Sequence, residues 1–210
     1  MKTLFAWDFH GVLEKDNELA VQAICNQVLK TFKVDKTISL QETLELYGQS
    51  WSDYFRYLSP KSSAEEIQRM HDKAVECSRE MVADYLKPMD FAHEVLTKIK
   101  EKGHVNVIIS HSRPDRVKHF LEIIKIGHLV DGFVGVPREK EAQVDIVQYK
   151  AGFLKKYAAE HGCSKIVMIG DSETDIEAGL MNQAVTFLFQ NKRKLSFSKL
   201  LKSTDFQNKK

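Results

Sequence analysis

Three polar residues, Asp8, Ser110 and Asp171, each end a run of apolar residues, and Asp175 follows Asp171 by one helical turn. If these runs are neighbouring parallel strands, their carboxyl ends open on one edge of a sheet, where ligands bind. Carboxylates brought together raise each other's pKa, so a cation is needed to keep them ionised. Such oxygen ligands suit Mg²⁺, which commonly bridges carboxylates to a substrate phosphate. The pattern therefore indicates phosphoryl transfer, with a carboxylate nucleophile that forms an aspartyl-phosphate cleaved later by water.

The elements that must position these residues are visible in the apolar pattern. Five continuous apolar runs predict strands that are covered on both faces: residues 3–8, 105–110, 132–136, 165–171 and 184–189. Between them lie helical patterns at residues 91–102, 114–126 and 145–161. This alternation predicts an α/β fold with a doubly wound parallel sheet, Rossmann-like in its connectivity.

One long helical stretch interrupts this alternation after the first strand. We expect residues 1–15 and 87–210 to form the α/β core domain and residues 16–86 to form an inserted helical domain. Two helices of the insert should begin with capping boxes, Ser39-x-x-Glu42 and Ser63-x-x-Glu66, and Gly48 should close the first of these two. The segments 13–16 and 87–88 are candidate hinges.

The composition limits the classes of partner. A chain of 210 residues with 43% hydrophobic content is long enough to bury a core. Lys and Arg number 31 against 29 Asp and Glu, and this balance gives no global field that would attract nucleic acid or an acidic membrane. The Lys-rich stretch 191–210 has no aromatic-rich basic face and is interpreted as a solvated tail.

The remaining composition points to a cytoplasmic protein. Cys25, Cys77 and Cys163 lack the spacing of a metal site or a disulfide framework, so we expect reduced thiols. The short apolar start meets Asp8 too soon for a signal peptide, and no run has the ~18 apolar residues of a membrane-spanning helix. Whether the protein is a monomer or a homodimer is not decided by these features.

At this point the sequence resembles the haloacid dehalogenase-like hydrolase superfamily, whose first motif is a strand ending in DxDG[TV]. Asp8-Phe9-His10-Gly11-Val12 is similar to that motif and Gly170-Asp171-x-x-x-Asp175 to the acidic metal-binding motif. The resemblance covers nearly the whole chain. It implies that Asp8 is the nucleophile, that Ser110 hydrogen-bonds the phosphoryl group, and that Asp8, Asp171, Asp175 and the backbone carbonyl of His10 bind Mg²⁺.

The resemblance also implies a lysine, about twenty residues before the last motif, that neutralises phosphate charge. Lys150, 21 positions before Asp171, is the better candidate, and Lys140 is the alternative. The helical insert resembles the cap domain of the phosphoglycolate phosphatase and β-phosphoglucomutase branch. The implied function is a phosphatase acting on a small phosphorylated metabolite.

His10 departs from the family pattern, because phosphatases of this family have a second Asp there. That Asp protonates the leaving oxygen and later activates water. Imidazole titrates near neutrality, so His10 is a candidate for the same general acid–base work. The alternative is that it slows turnover or only fills space.

Five further residues are candidates for substrate contact. Trp51 and Arg56 belong to an aromatic-rich segment of the insert, Glu14 lies where the chain enters it, and His111 and Arg113 follow Ser110. The alternative is that the aromatic residues pack in the core of the insert and that the polar residues are simply exposed to solvent.

Other functions stay open. A phosphomutase would pass the phosphoryl group to a sugar instead of water. A phosphonate hydrolase would need a Schiff-base lysine in the insert, and a dehalogenase would need no metal. Because His10 replaces the usual Asp, a catalytically weak protein that binds a phosphate ligand is a further hypothesis.

Overall fold

The computed structural model describes residues 1–137 and 144–189 of the chain. Lys140 and the expected tail at 191–210 therefore lie outside the described residues. The chain divides into two compact units. An α/β core unit contains Met1–Leu13 and the chain from Met89 onward, and a helical unit contains Glu14–Pro88.

A five-stranded parallel sheet organises the core unit. Its strands lie in the order β5-β4-β1-β6-β7, so β1 is central, and every neighbouring pair is parallel. The prediction of a Rossmann-like, doubly wound α/β fold is confirmed. The strands of the described residues are β1 Thr3–Trp7, β2 Glu14–Lys15, β3 Lys87–Pro88, β4 Val105–Ile109, β5 Gly132–Val134, β6 Lys165–Gly170 and β7 Val185–Leu188.

Helices link the strands and shield the sheet. The helices of the described residues are α1 Asn17–Thr31, α2 Leu40–Glu45, α3 Trp51–Leu58, α4 Ala64–Tyr85, α5 Ala92–Glu101, α6 Pro114–Ile124, α7 Ile146–Glu160 and α8 Glu173–Met181, with a 3-10 turn at Gly127–Leu129. The last four belong to the core unit. Three of these, α5, α6 and α7, start and end within two residues of their predicted bounds, which is the usual uncertainty of helix ends.

Burial explains why the sheet forms where the sequence predicts it. All five residues of β4 are buried, as expected of a strand covered on both faces, and its one polar residue, Asn106, donates to the carbonyls of Leu96 and Leu129. β1 alternates between buried and half-buried residues, and its buried Leu4 and Ala6 join the apolar cluster that includes Leu154 of α7 and Met168 of β6. This packing anchors the carboxyl ends of β1, β4 and β6, which carry the candidate residues.

The helical unit is built around contacts between α1 and α4 and between α3 and α4. Both predicted capping boxes are present, at Ser39 with Glu42 and at Ser63 with Glu66. The helix α2 ends at Glu45, earlier than predicted, and Gly48 instead takes the left-handed conformation in the turn that follows.

The two segments predicted as hinges pair with each other. Glu14–Lys15 and Lys87–Pro88 form a two-stranded antiparallel sheet, which is why these residues group with the helical unit. Lys87 Nζ also donates to Asp16 Oδ2 over 3.2 Å. Across residues 1–137 and 144–189, none of the helices combines the length and the apolar character needed to cross a membrane.

Candidate active site

Asp8 occupies the carboxyl end of the central strand. Its backbone N–H donates to the carbonyl of Ile169 over 2.8 Å, which continues the pairing of β1 with β6 by one residue beyond the strand. The residue is only 8% exposed. Because β6 holds the main chain of Asp8 in place, the carboxylate stays at the edge of the sheet where ligands bind in this topology.

Lys150 connects Asp8 to the acidic motif. It lies on α7, is 2% exposed, and its Nζ donates to Asp8 Oδ1 over 2.8 Å and to Asp175 Oδ1 over 2.5 Å. Burial disfavours the ammonium, but the two carboxylates outweigh that effect and raise the pKa of Lys150 above its ordinary value. The side chain therefore stays cationic inside the core unit.

Asp175 is positioned by the first turn of α8. Its Oδ2 accepts hydrogen bonds from the backbone N–H and the hydroxyl of Ser172, which is the capping box of that helix. Gly170 lets the carboxylate approach, since a Cβ there would overlap Cβ and Cγ of Asp175. The local sequence Gly-Asp-Ser-x-x-Asp thus holds the Asp175 side chain, which is fully buried, against the end of β6.

Three carboxylates converge at this point. Asp8, Asp171 and Asp175 each offer an oxygen, and these oxygens lie within 4.8 Å of one another. Burial raises the pKa of Asp175 and the charge of Asp8 raises it further, despite the opposing effect of Lys150. With Lys150 as their cation, the three ionised groups still carry two negative charges in excess. A hard divalent cation would remove that cost, and carboxylate oxygens are the ligands that Mg²⁺ prefers, so the donor set fits this ion.

The loop after β4 brings a further polar residue, Ser110, to this edge of the sheet and contacts a second one, His10. Ser110 is buried, its N–H donates to the carbonyl of Val134, and its Oγ accepts the N–H of Ser112 over 3.1 Å. His10 reaches the same loop, with Nε2 2.9 Å from Ser112 Oγ. The loop therefore fixes Ser110 and His10 together.

The other sequence candidates are placed differently. His111 is exposed, and the guanidinium of Arg113 is paired with both carboxylate oxygens of Asp115 in the first turn of α6. In the helical unit, Glu14 is buried, Trp51 is half-buried at the start of α3, and the exposed Arg56 pairs with Asp53 over 2.7 Å. Substrate contact by these five residues stays a prediction.

The sequence profile of the haloacid dehalogenase-like hydrolases matches residues 5–189, which include every residue of this carboxylate and lysine cluster. The chain belongs to the haloacid dehalogenase-like hydrolase family. No curated protein matches it.

Solved structures of the family share the fold of this haloacid dehalogenase-like hydrolase. A family member from Bacteroides fragilis has a TM-score of 0.71 at 16% identity, over 96% of this chain and 93% of its own. A predicted phosphoglycolate phosphatase from Haemophilus somnus has a TM-score of 0.72 at 17% identity, over 97% and 98%. A family protein from Streptococcus pneumoniae has a TM-score of 0.72 at 12% identity, over 99% of both chains. At these identities the likeness shows the fold alone.

Sequence reasoning missed two residues that shape the site of this haloacid dehalogenase-like hydrolase. Ser112 is the side-chain partner of His10, and Gly135 lets the loop pass, because a Cβ there would overlap the carbonyl oxygen of Ser112. A serine two positions beyond a strand is an ordinary turn residue, so only its distance to His10 identifies it. A glycine after an apolar run is a weak signal for the same reason.

The close approach at Gly170 yields a prediction. In Gly170→Ala the new methyl group must displace Asp175, so we expect a loss of about 1–3 kcal/mol of unfolding free energy and weaker Mg²⁺ binding. Thermal unfolding with and without Mg²⁺ measures both effects. The matched control is Gly152→Ala in α7, where a Cβ meets no atom within 4 Å and should stabilise the helix by about 0.5–1 kcal/mol. Equal stability of the two variants would contradict the role given to Gly170.

Proposed function

We propose that this haloacid dehalogenase-like hydrolase is a Mg²⁺-dependent phosphatase that acts on a small phosphorylated metabolite through an aspartyl-phosphate on Asp8. The observation that carries the proposal is the buried carboxylate of Asp8 at the end of the central strand, 2.8 Å from Lys150 and grouped with Asp171 and Asp175. A carboxylate that must receive a dianionic phosphoryl group needs cations beside it.

The proposed metal ligands are the carboxylates of Asp8, Asp171 and Asp175 and the backbone carbonyl of His10. Mg²⁺ bound there would neutralise charge on the phosphoryl oxygens and hold them beside Asp8. Lys150 and the hydroxyl of Ser110 supply the remaining positive charge and hydrogen bond. Ser110 Oγ accepts from Ser112 N–H, so its own hydrogen can be donated to a phosphoryl oxygen.

In the first proposed step, a carboxylate oxygen of Asp8 attacks phosphorus and the bond to the leaving oxygen breaks. His10, in its imidazolium form, gives a ring proton to that oxygen, and the alcohol departs. In the second step, His10 takes a proton from water, whose oxygen attacks phosphorus, and the Asp8–phosphorus bond breaks. The products are one alcohol and one phosphate, and both side chains return to their starting states.

The role of His10 gives a prediction. His10→Asn removes the proton donor and acceptor, and we expect the release of phosphate to fall by about 10²-fold or more. His10→Asp places the acid–base group common in the family at the same position, and it should preserve or raise activity. Steady-state rates of both variants at matched Mg²⁺ measure this. Loss of activity in His10→Asp would mean that the histidine serves a chemistry of its own.

The helical unit, Glu14–Pro88, is proposed to act as a cap that selects the substrate. Its candidates for this role are Glu14, Trp51 and Arg56, while His111 and Arg113 are the candidates of the core unit. The phosphoglycolate phosphatase name of one structural relative fits a small, anionic phosphorylated substrate.

The test of the function is a screen of phosphorylated metabolites with and without Mg²⁺, on the wild type and on Asp8→Asn together. Release of phosphate that depends on both Mg²⁺ and Asp8 is expected. If the wild type binds Mg²⁺ and phosphate but releases phosphate from no ester, the protein is a phosphate-ligand binder. Transfer to a sugar acceptor instead of water would identify a phosphomutase.

A further inference from the structure

The imidazole of His10 contacts Ser112, Phe9 and Phe120 in the core unit. Its Nε2 lies 2.9 Å from Ser112 Oγ. Its ring packs edge-on against Phe9 and Phe120, with centroid distances of 5.2 and 5.4 Å and interplanar angles of 82° and 74°. Phe9 and Phe120 are themselves buried and stacked on each other at 6.0 Å. Packing against the two phenyl rings and the contact of Nε2 with Ser112 Oγ together restrict rotation of the imidazole about its Cβ–Cγ bond.

The main chain of Ser112 is held independently of its hydroxyl. Its N–H donates to Ser110 Oγ over 3.1 Å, and its carbonyl accepts the N–H of Val136 over 3.1 Å. Pro114 at the start of α6 limits the chain two residues later. Because these constraints hold the loop, the hydroxyl is not required for the loop's shape. Within residues 1–137 and 144–189, the hydroxyl makes its side-chain hydrogen bond with His10.

We infer that Ser112 is a positioning residue for His10: its hydroxyl holds the imidazole in the orientation that the proton transfers need. This inference rests on the proposed function, in which His10 is the general acid and base. A proton donor must lie within hydrogen-bond reach of the reacting oxygen, so a ring free to turn would spend less time in the productive geometry. A hydroxyl can donate to Nε2 or accept from it, so the contact can hold the ring both before and after the proton is transferred.

The inference gives Ser112 a role that differs from that of Ser110. Ser110 is expected to touch the phosphoryl group, and its loss should affect binding of the phosphate. Ser112 acts through His10, and its loss should affect the rate of turnover while leaving the affinity for substrate nearly unchanged. Both serines lie on the loop of residues 110–113. This one loop therefore positions Ser110 for the phosphoryl group and His10 for proton transfer.

The test uses Ser112→Ala with p-nitrophenyl phosphate as the substrate, because hydrolysis of the aspartyl-phosphate is common to all esters. We expect kcat to fall about tenfold, the scale of one hydrogen bond to a polar group, with KM changed by less than about twofold. Ser112→Thr keeps the hydroxyl and should retain at least about half of the wild-type kcat. A kcat for Ser112→Ala equal to wild type, or equal losses in the Thr and Ala variants, would overturn the inference.

A double-mutant cycle separates positioning from structure. In the His10→Asn background, Ser112→Ala should change kcat by less than about twofold, because the partner of the hydroxyl is already absent. An equal loss with and without His10 would mean that Ser112 supports the loop and not the imidazole, and it would overturn the inference.

An NMR measurement keeps the inference distinct from the proposed function. In the wild type, ring protons of His10 should show strong cross-relaxation to the rings of Phe9 and Phe120, and these signals should weaken in Ser112→Ala. If no ester is hydrolysed but this loss occurs, the positioning contact holds and the phosphatase proposal fails. If the signals are unchanged in Ser112→Ala, the positioning inference fails whatever the activity.

Discussion

Asp8→Asn is expected to abolish Mg²⁺-dependent release of phosphate, lowering kcat by about three orders of magnitude or more, as removal of a covalent nucleophile does. The amide has nearly the shape of the carboxylate but cannot form the acyl phosphate. The expected loss is chemical, because Lys150 keeps Asp175 as its ion partner in the variant. The substitution also removes the negative charge that raises the pKa of Asp175, so we expect no loss of folding stability.

The measurement is phosphate release over the metabolite screen, with thermal unfolding of each protein as the control for folding. Asp84→Asn, an exposed aspartate on α4, is the matched control and should retain wild-type turnover. If Asp8→Asn keeps turnover of the same ester within about tenfold of the wild type, Asp8 is not the nucleophile. Residual activity that is independent of Mg²⁺ would point to a contaminating enzyme.

The fold and the convergence of the carboxylates could be predicted because they follow from connectivity. Continuous apolar runs that alternate with helices leave few topologies other than a parallel sheet, and a parallel sheet brings the ends of its strands to one edge. Asp8, Ser110 and Asp171 each come directly after a strand in the structure. Their grouping needed no knowledge of side-chain packing.

The burial of Lys150 could not be predicted from the residues around it in the sequence. On the sequence it is one of several lysines of α7, with Lys155 and Lys156 nearby, and nothing local distinguishes a buried lysine from a solvated one. Only its spacing before Asp171, known from the family, favoured it. Its burial depends on the packing of α7 against α8 and near β1, which is remote in sequence, and the apolar pattern does not specify this packing.

Arg56 and Arg113 show that residue type and position alone do not predict the partner of a charged side chain. Arg56 and Arg113 were candidates for anion contact because of their type and position. Each is paired in the structure with an aspartate two or three residues away, Asp53 and Asp115. Short-range ion pairs of this kind are available to any exposed arginine and contribute little to stability, so the type and position of an arginine do not predict its partner.

Lys150→Met is the substitution expected to cost the most stability. It removes the ammonium from a site in which Asp8 and Asp175 are buried, and breaking a buried ion pair by removing one partner costs about 3–5 kcal/mol. For a chain of this size that corresponds to a decrease in Tm of about 10 °C. Methionine matches the length of the lysine stem, so the packing of α7 against the sheet is retained and the loss reports the charge.

Metal should reverse part of this loss. Without Lys150 the three carboxylates have no ammonium, and a divalent cation that binds them stabilises the folded state in proportion to its occupancy. Mg²⁺ should therefore raise the Tm of Lys150→Met by more than it raises that of the wild type. Activity should stay low even at saturating Mg²⁺, because the phosphoryl group has lost a cation that the metal does not replace.

The matched control is Lys155→Met on the same helix. Lys155 is exposed, so the substitution should change the unfolding free energy by no more than about 0.5 kcal/mol. Thermal unfolding of the three proteins, with EDTA and with increasing Mg²⁺, measures the comparison. If Lys150→Met unfolds at the wild-type temperature in EDTA, then Asp8 and Asp175 do not need the ammonium, because one of them is already protonated in the metal-free protein. In that case the negative charge of the metal-free site is smaller than three ionised carboxylates would give, and binding of Mg²⁺ releases about one proton that fully ionised carboxylates would not release.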